Sequence, residues 1–297
     1  MISTEGKTIA VVGATGRQGG QVVRHLLKQG WRVRALTRKP EGKRAAELRS
    51  LGAEIVQANL EDKASLEAAF ENAYGVYDIQ IPVSGKVDVE IQQGRNAAEA
   101  AKKAGVKHVV YGSAGLGRNV RTGIEQWDAK EEITNILNAL GLPLTRLRPM
   151  AFMELMTDPS YYPSGSTWHV WPKLSGMNRP IGWISVQDVG AIAAKAFADP
   201  EEYVGKDLPL SADVQSLWEC REIYREVTGK YPSRFPMPIF LFEKFVGKDL
   251  ANMWRWLRTN HVDLDTSQTL AIHPEAMTVR TWLQAPSQPA SGSTRKS

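Results

Sequence analysis

The sequence predicts an α/β protein: a doubly wound parallel sheet followed by a smaller, mostly helical C-terminal lobe. Three observations carry that expectation. From Thr8 to Leu147, short β-rich runs alternate with amphipathic helical segments, as a parallel sheet covered by helices on both faces requires. A glycine-rich turn joins the first strand directly to the first helix. After Met150 the rhythm breaks into a stretch rich in Pro, Ser, Gly and Trp, Asp158 to Gly182, and then resumes with helical segments.

In chain order, strands are expected at Thr8 to Val12, Arg32 to Leu36, Glu54 to Gln57, Gly75 to Ile81, His108 to Tyr111 and Thr145 to Leu147. The first helix, Gly19 to Gln29, puts Val22, Val23, Leu26 and Leu27 on one face and stops at Gly30. Asp62 is placed to cap the third helix. Ile184 to Ala198 reads as a strand and helix returning to the first sheet, and Leu208 to Thr228 with Ile239 to Leu257 as the second lobe. The expected division is residues 1–155 with 183–200, then 156–182 with 201–283, and a disordered Pro/Ser/Gly-rich tail at 284–297.

With 297 residues, 42% hydrophobic and 23% charged, the chain has the composition of a globular domain protein and not of a disordered, collagenous or membrane protein. Its net charge of +5 is dispersed, without the basic run that would mark a nucleic-acid arm. Every apolar run is shorter than the ~20 residues of a membrane span. The lone Cys220 cannot form an internal disulfide, and no secretory leader precedes the first strand, so the cytoplasm is the expected compartment.

The segment Ile9-Ala-Val-Val-Gly13-Ala-Thr-Gly16-Arg-Gln-Gly19-Gly20 sets an apolar strand before Gly-x-x-Gly-x-x-Gly and an amphipathic helix after it. Gly13, Gly16 and Gly19 permit the tight turn, let backbone N–H groups approach a pyrophosphate, and allow strand and helix to pack closely; the helix N-terminus stabilises the charge. That pattern reads as the cradle of a Rossmann-type dinucleotide site, the alternative being a glycine-rich turn that serves only packing. The second strand ends Thr37-Arg38-Lys39, without the acid that binds a ribose 2′-hydroxyl. Arg38, with Lys39 and Arg17, would instead pair with a 2′-phosphate, which selects NADP(H). Otherwise these cations are solvated loop-end charges. Thr15 and Gln18 complete the expected cofactor contacts from the loop.

Together with the loop and the Arg-bearing strand end, several further segments resemble the NmrA-like family of atypical short-chain dehydrogenases/reductases. They are Gln57-Ala-Asn-Leu-Glu-Asp62, Val106-Lys-His-Val-Val-Tyr-Gly-Ser113, Gly141-Leu-Pro-Leu-Thr-Arg-Leu-Arg-Pro149 with Phe152-Met153-Glu154, and Trp183-Ile-Ser-Val-Gln-Asp-Val189. The resemblance spans all but the tail. It implies that Asn59 and Leu60 border the adenine, that Ile81 and Pro82 line the dinucleotide cleft, and that Ser113 ends the fifth strand beside it. Asn59 departs from the family's usual Asp, though an amide can still donate and accept. Ordinary strand-end packing is the competing reading for Leu60, Ile81 and Pro82.

The parent superfamily reduces carbonyls with Tyr-x-x-x-Lys, one helical turn placing a phenol beside an ammonium. Here the segment is Gln126-Trp-Asp-Ala-Lys130. The lysine remains, and the resemblance implies that it hydrogen-bonds the nicotinamide ribose or takes part in proton transfer. Its alternative is a surface lysine paired with Glu131 or Glu132. Gln126 cannot exchange a proton near neutral pH. Replacement candidates are Tyr161, Tyr162 and His169. Trp168, Trp171 and Trp183 either line a flat pocket for an aromatic or quinone-like ligand or simply pack the lobe.

Phe240, Phe242, Phe245, Trp254 and Trp256 read as core or as an apolar partner surface, and Cys220 as a small core residue. The five histidines lack metal-ligand spacing. Three functions fit: an NADPH-dependent oxidoreductase acting on a quinone or other conjugated acceptor, an NADP(H)-sensing regulator acting on a protein partner, and an isomerase or epimerase-like enzyme that keeps its cofactor bound. Neither nucleic acid nor membrane is an expected partner.

Overall fold

The computed structural model describes residues 2–81, 86–116, 120–159, 161, 166–260, 262 and 264–285. Its first half alternates strictly: β1 (Thr8–Val11), α1 (Arg17–Lys28), β2 (Arg32–Thr37), α2 (Lys43–Ser50), β3 (Glu54–Gln57), α3 (Lys63–Phe70), β4 (Gly75–Asp78), α4 (Val87–Ala104), β5 (His108–Gly112), α5 (Glu125–Ala139) and β6 (Leu144–Pro149). There follow β7 (Ala151–Phe152), a 3-10 turn at Met153–Met156, α6 (Ser166–His169), α7 (Trp171–Ser175), β8 (Pro180–Ile184), α8 (Val186–Ala198), α9 (Pro200–Tyr203) and β9 (Asp207–Leu210). Last come β10 (Asp213–Ser216), α10 (Leu217–Thr228), α11 (Ile239–Val246), α12 (Lys248–Thr259), α13 (Ser267–Ile272) and α14 (Val279–Gln284).

The chain divides into two compact units, Met1–Pro149 with Val186–Pro209, and Met150–Ser185 with Leu210–Ser297. In the first, seven strands lie in the order β3-β2-β1-β4-β5-β6-β9, and β3 through β6 pair in parallel. Strands buried on both faces are apolar without alternation; β4 and β5 are buried along their whole length. The helices flank the sheet, and Leu66, Phe70, Ala97, Ala101, Ile133 and Leu137 form much of one buried layer against it. Asp62 caps α3 as expected, its carboxylate accepting from the N–H groups of Ala64 and Ser65.

Two glycines set how closely helices pack in this unit. A Cβ on Gly190 of α8 would fall 2.8 Å from the Gln21 backbone of α1. One on Gly94 of α4 would fall 2.6 Å from Ile133 of α5. Both distances are below anything a side chain tolerates, so these helices touch backbone against neighbour.

The second unit has a three-stranded sheet, β10-β8-β7, and helices around an aromatic core. Here the sequence expectation needs correction. The strand at Pro180–Ile184 pairs antiparallel with β10 and parallel with β7, in the second sheet and not the first. Only the following helix, α8, belongs to the first unit. Apolar patterning marks a buried strand without naming its sheet. The division also differs from the expected one: 150–155 and 183–185 lie in the second unit, while 201–209 lie in the first, where β9 extends the sheet beside β6. Of the tail, Gln284 closes α14, and residues from 286 lie outside the described ones. Among the described residues no helix is long and apolar enough to cross a membrane.

Candidate functional site

Parallel pairing carries the ends of several strands to one edge of the first sheet. Val11 is level with Ala35 and Tyr77, Thr37 with Gln57, Asp78 with Tyr111, and Gly112 with Leu147. Gly13, Arg38, Asn59, Ile81 and Ser113 therefore all emerge at the carboxyl edge. The strand order reverses between β1 and β4, and a crevice at such a reversal is where open α/β sheets take ligands.

The glycine loop is built as its sequence requires. Gly13 has φ +65°, a left-handed conformation that glycine adopts without strain, and its carbonyl accepts from the N–H of Gly16 at 2.8 Å. A Cβ on Gly19 would lie 2.7 Å from the Gly13 carbonyl carbon, so the helix start rests directly on the turn. Helix α1 opens at Gly16 with no side-chain cap and no acid in its first turn. Its leading N–H groups and positive dipole end are thus free of an internal anion, which suits a pyrophosphate.

The flanking residues divide. Arg38 and Lys39 are exposed at the end of β2, and neither side chain is engaged by another described residue. Arg17 is half-buried at the start of α1. Gln18 turns inward, its amide donating to the Tyr77 hydroxyl at 2.7 Å, so its backbone and not its side chain faces the loop. Thr15 sits 3.5 Å from the Thr37 hydroxyl. Its carbonyl accepts from Arg44 at 2.8 Å, which brings a further cation from α2 to the glycine loop.

Asn59 uses its carboxamide oxygen to accept from the N–H of Glu61, and its own N–H donates to Ser65. Leu60 packs against the buried layer and accepts from Asn96 through its carbonyl. Ile81 is 68% exposed at the carboxyl edge, and Pro82 lies outside the described residues. Ser113 is buried, its hydroxyl accepting from Arg146 at 3.0 Å. Arg146 in turn pairs with Glu131 at 2.7 Å.

Lys130 is not a surface lysine. It is 4% exposed, donates to the Gln80 carbonyl at 2.6 Å, and pairs with Glu90 of α4 at 3.0 Å. Its ammonium lies 5.8 Å from the centre of the Tyr111 ring. Beside it, Asp78 accepts from the Gln80 amide at 2.7 Å, and burial raises the Asp78 carboxyl to about 6, against the pull of Gln80 and Lys130. Burial, with the nearby Asp78 and Glu90 charges, also pushes the Tyr111 phenol up. Gln126, one turn before Lys130, is half-buried.

Sequence reasoning missed Glu90, Asp78, Gln80 and Arg44. The signal for Glu90 was present: it heads the stripe Glu90, Gly94, Ala97, Ala98, Ala101, all buried on one helical face of α4. An acid on a small-residue buried stripe demands a partner.

In the second unit, Trp171 stacks on Trp254 at 4.9 Å and tilts against Trp183 at 5.6 Å, and all three are buried. The indoles of Trp168 and Trp183 donate to the carbonyls of Met156 and Gln215. These rings form core, so the flat-pocket reading gives way to packing. Phe242 joins that core, whereas Phe240 and Phe245 are exposed. Cys220 is fully buried and its thiol is pushed up by desolvation, as befits a core residue. Tyr161 is half-buried, His169 contacts Lys173 at 2.9 Å, and Tyr162 lies outside the described residues. Among the described residues no group of three His, Cys, Asp or Glu could hold a metal ion.

Sheet order, reversal point and glycine loop define a Rossmann-type fold. The chain belongs to the NmrA-like family, whose model matches residues 5–283. An NmrA-like family domain-containing oxidoreductase of Malbranchea aurantiaca, malD, is 31% identical over 256 residues, 77% of this chain and 75% of that protein. The fold is also that of an NADPH-dependent quinone oxidoreductase of Escherichia coli solved with NADPH (TM-score 0.68, 22% identity, 93% of this chain and 98% of that one). It is equally that of NmrA, a negative transcriptional regulator solved with NAD (TM-score 0.74, 20% identity, 94% of each chain).

Proposed function

We propose that this chain binds NADP(H) and is an NADPH-dependent oxidoreductase acting on a quinone or other conjugated or aromatic small molecule. The observation that carries the reading is Lys130, held buried at the carboxyl edge of the same sheet whose glycine loop opens an uncapped helix. Gly13, Gly16, Gly19 and the first N–H groups of α1 would hold the pyrophosphate. Arg38 and Lys39, with Arg17 or Arg44, would hold a 2′-phosphate, and Asn59, Leu60 and Ile81 would border the rest of the dinucleotide. Bound there, the reduced nicotinamide supplies a hydride.

Gln126 leaves the usual phenolic proton donor absent, which favours acceptors that take a hydride into a conjugated system over simple ketones. Lys130 would orient the nicotinamide ribose through a hydrogen bond. The oxidoreductase names of relatives such as the Malbranchea protein, and the quinone oxidoreductase fold, support this reading.

The test is NADPH oxidation by the purified chain against a panel of quinones, aromatic carbonyls and simple ketones. Turnover confined to the conjugated acceptors is expected. A second reading, an NADP(H)-sensing regulator with a protein partner, is supported by the likeness to the regulator NmrA. No turnover with any acceptor, together with a shape or partner affinity that follows the NADP⁺/NADPH ratio, would favour it, since a ligand shifts conformations only through differential affinity.

A further inference from the structure

A lysine ammonium has three hydrogens to donate. In Lys130 one goes to the Gln80 carbonyl at the end of β4, while Glu90 Oε1 lies 3.0 Å from the ammonium as its ion-pair partner, outside hydrogen-bond geometry. We propose that Glu90 is the positioning residue for Lys130: its buried charge fixes where the ammonium sits relative to the cofactor. This rests on the reading above, in which Lys130 serves hydride transfer.

The fold is arranged to make that contact. Gly94 stands one turn after Glu90 on α4, and Ile133 stands nearly one turn after Lys130 on α5. The absence of a side chain at Gly94 lets Ile133 approach to where a Cβ would be 2.6 Å away. That close approach of α4 and α5 seats the Glu90 side chain, 2% exposed, against the Lys130 side chain, 5% exposed. A buried ion pair is a poor source of net stability, because desolving both charges offsets their attraction. Its clearest physical product is the fixed location of Nζ, set from two sides by a helix and a strand end.

Asp78 and Tyr111 add to the same surroundings; among the described residues one oxygen each of Asp78, Gln80 and Glu90 and the Tyr111 hydroxyl lack a hydrogen-bond partner. Neither Asp78 nor Tyr111 touches the ammonium within hydrogen-bond distance. Glu90 is the side chain that does.

Three variants test the proposal: Glu90→Asp, Glu90→Gln and Lys130→Met, with the two Glu90 variants repeated on Lys130→Met. Glu90→Asp keeps the charge but withdraws the carboxylate by one methylene. It should lower kcat for NADPH oxidation with the best quinone by about tenfold or more, with KM for NADPH moving by less than about threefold. On Lys130→Met, the Glu90 substitutions should cost no more than about twofold further, because both act through one ammonium. Glu90→Gln leaves a buried cation uncompensated and can fail to fold; the double variant with Lys130→Met removes both charges and remains measurable.

A readout free of turnover is the ¹⁵N resonance of the Lys130 ammonium, assigned by its loss in Lys130→Met and expected to shift in Glu90→Asp. An unshifted resonance, or wild-type kcat in Glu90→Asp, overturns the proposal. A shifted resonance in a chain that oxidises no NADPH upholds the placement of Lys130 by Glu90 and removes the enzyme reading instead.

Discussion

Replacing Gly19 by alanine tests the cradle most directly, because the structure gives the cost atom by atom. The new Cβ would lie 2.7 Å from the Gly13 carbonyl carbon and 3.1 Å from the Ala14 nitrogen. Both obstacles are backbone, so no rotamer change relieves them, and the Gly13–Ala14 peptide must move. Overpacking of this kind costs about 1–3 kcal/mol, equivalent to roughly 2–4 °C of Tm per kcal/mol in a domain of this size. A displaced peptide also moves the N–H groups meant for a pyrophosphate, so NADPH affinity should fall about 5- to 150-fold.

Two neighbours serve as graded controls. At Gly16 the nearest atom to a Cβ is the Gly13 oxygen at 3.0 Å, and at Gly20 it is the Ala14 oxygen at 3.3 Å. Gly20 also lies inside α1, where alanine gains up to about 1 kcal/mol of helix propensity. The expected order of damage is therefore Gly19, then Gly16, then Gly20, read by thermal melting and by quenching of NADPH fluorescence. If Gly19→Ala melts and binds like the wild type, or if Gly20→Ala is the worst of the three, the packing argument for this loop is wrong.

Arg38→Ala should erase most of a preference for NADP(H) over NAD(H), a loss of about 1.5–3 kcal/mol as charge-assisted bonds to a 2′-phosphate disappear; equal affinities in wild-type calorimetry would refute it. Gln126→Tyr should not create a ketone reductase, since a phenol also needs a substrate within hydrogen-bond reach, and steady-state assays with simple ketones would expose the opposite. Acid stability follows from two buried groups with opposing signs. Burial lowers His108 from 6.5 to about 4, so its stability contribution, present above 6.5, is lost as pH falls through that window, by roughly 3 kcal/mol. Asp78, raised from 3.8 to about 6, contributes stability that is gained as pH falls from about 6 to 3.8, by roughly the same amount. Asp78→Asn should unmask the His108 effect, so denaturant titrations at pH 7 and pH 4 should show a larger acid loss in the variant than in the wild type; identical losses would refute the assignment.

The sequence by itself determined whatever short-range chemistry fixes. Gly-x-x-Gly-x-x-Gly between an apolar strand and an amphipathic helix marked the turn, and the structure has the geometry it called for: Gly13 at positive φ and Gly19 without room for a side chain. Asp62 capped its helix, and the strand–helix rhythm up to Pro149 marked the parallel sheet, whose strand order and reversal point only the tertiary pairing revealed. Arg38 was visible as a cation where an acid might have stood. Tertiary structure alone decided which partners meet. Whether Pro180–Ile184 joined the first or second sheet depended on hydrogen bonds to β7 and β10, which its apolar pattern does not encode. The tryptophans read equally as pocket or core until Trp171 stacked on Trp254. Lys130 had two glutamates beside it in the chain, yet its ion-pair partner is Glu90, because the missing side chain at Gly94 lets two distant helices close on each other. Backbone conformation is set by neighbours in sequence, whereas a buried charge is answered by whichever group the packing brings within reach.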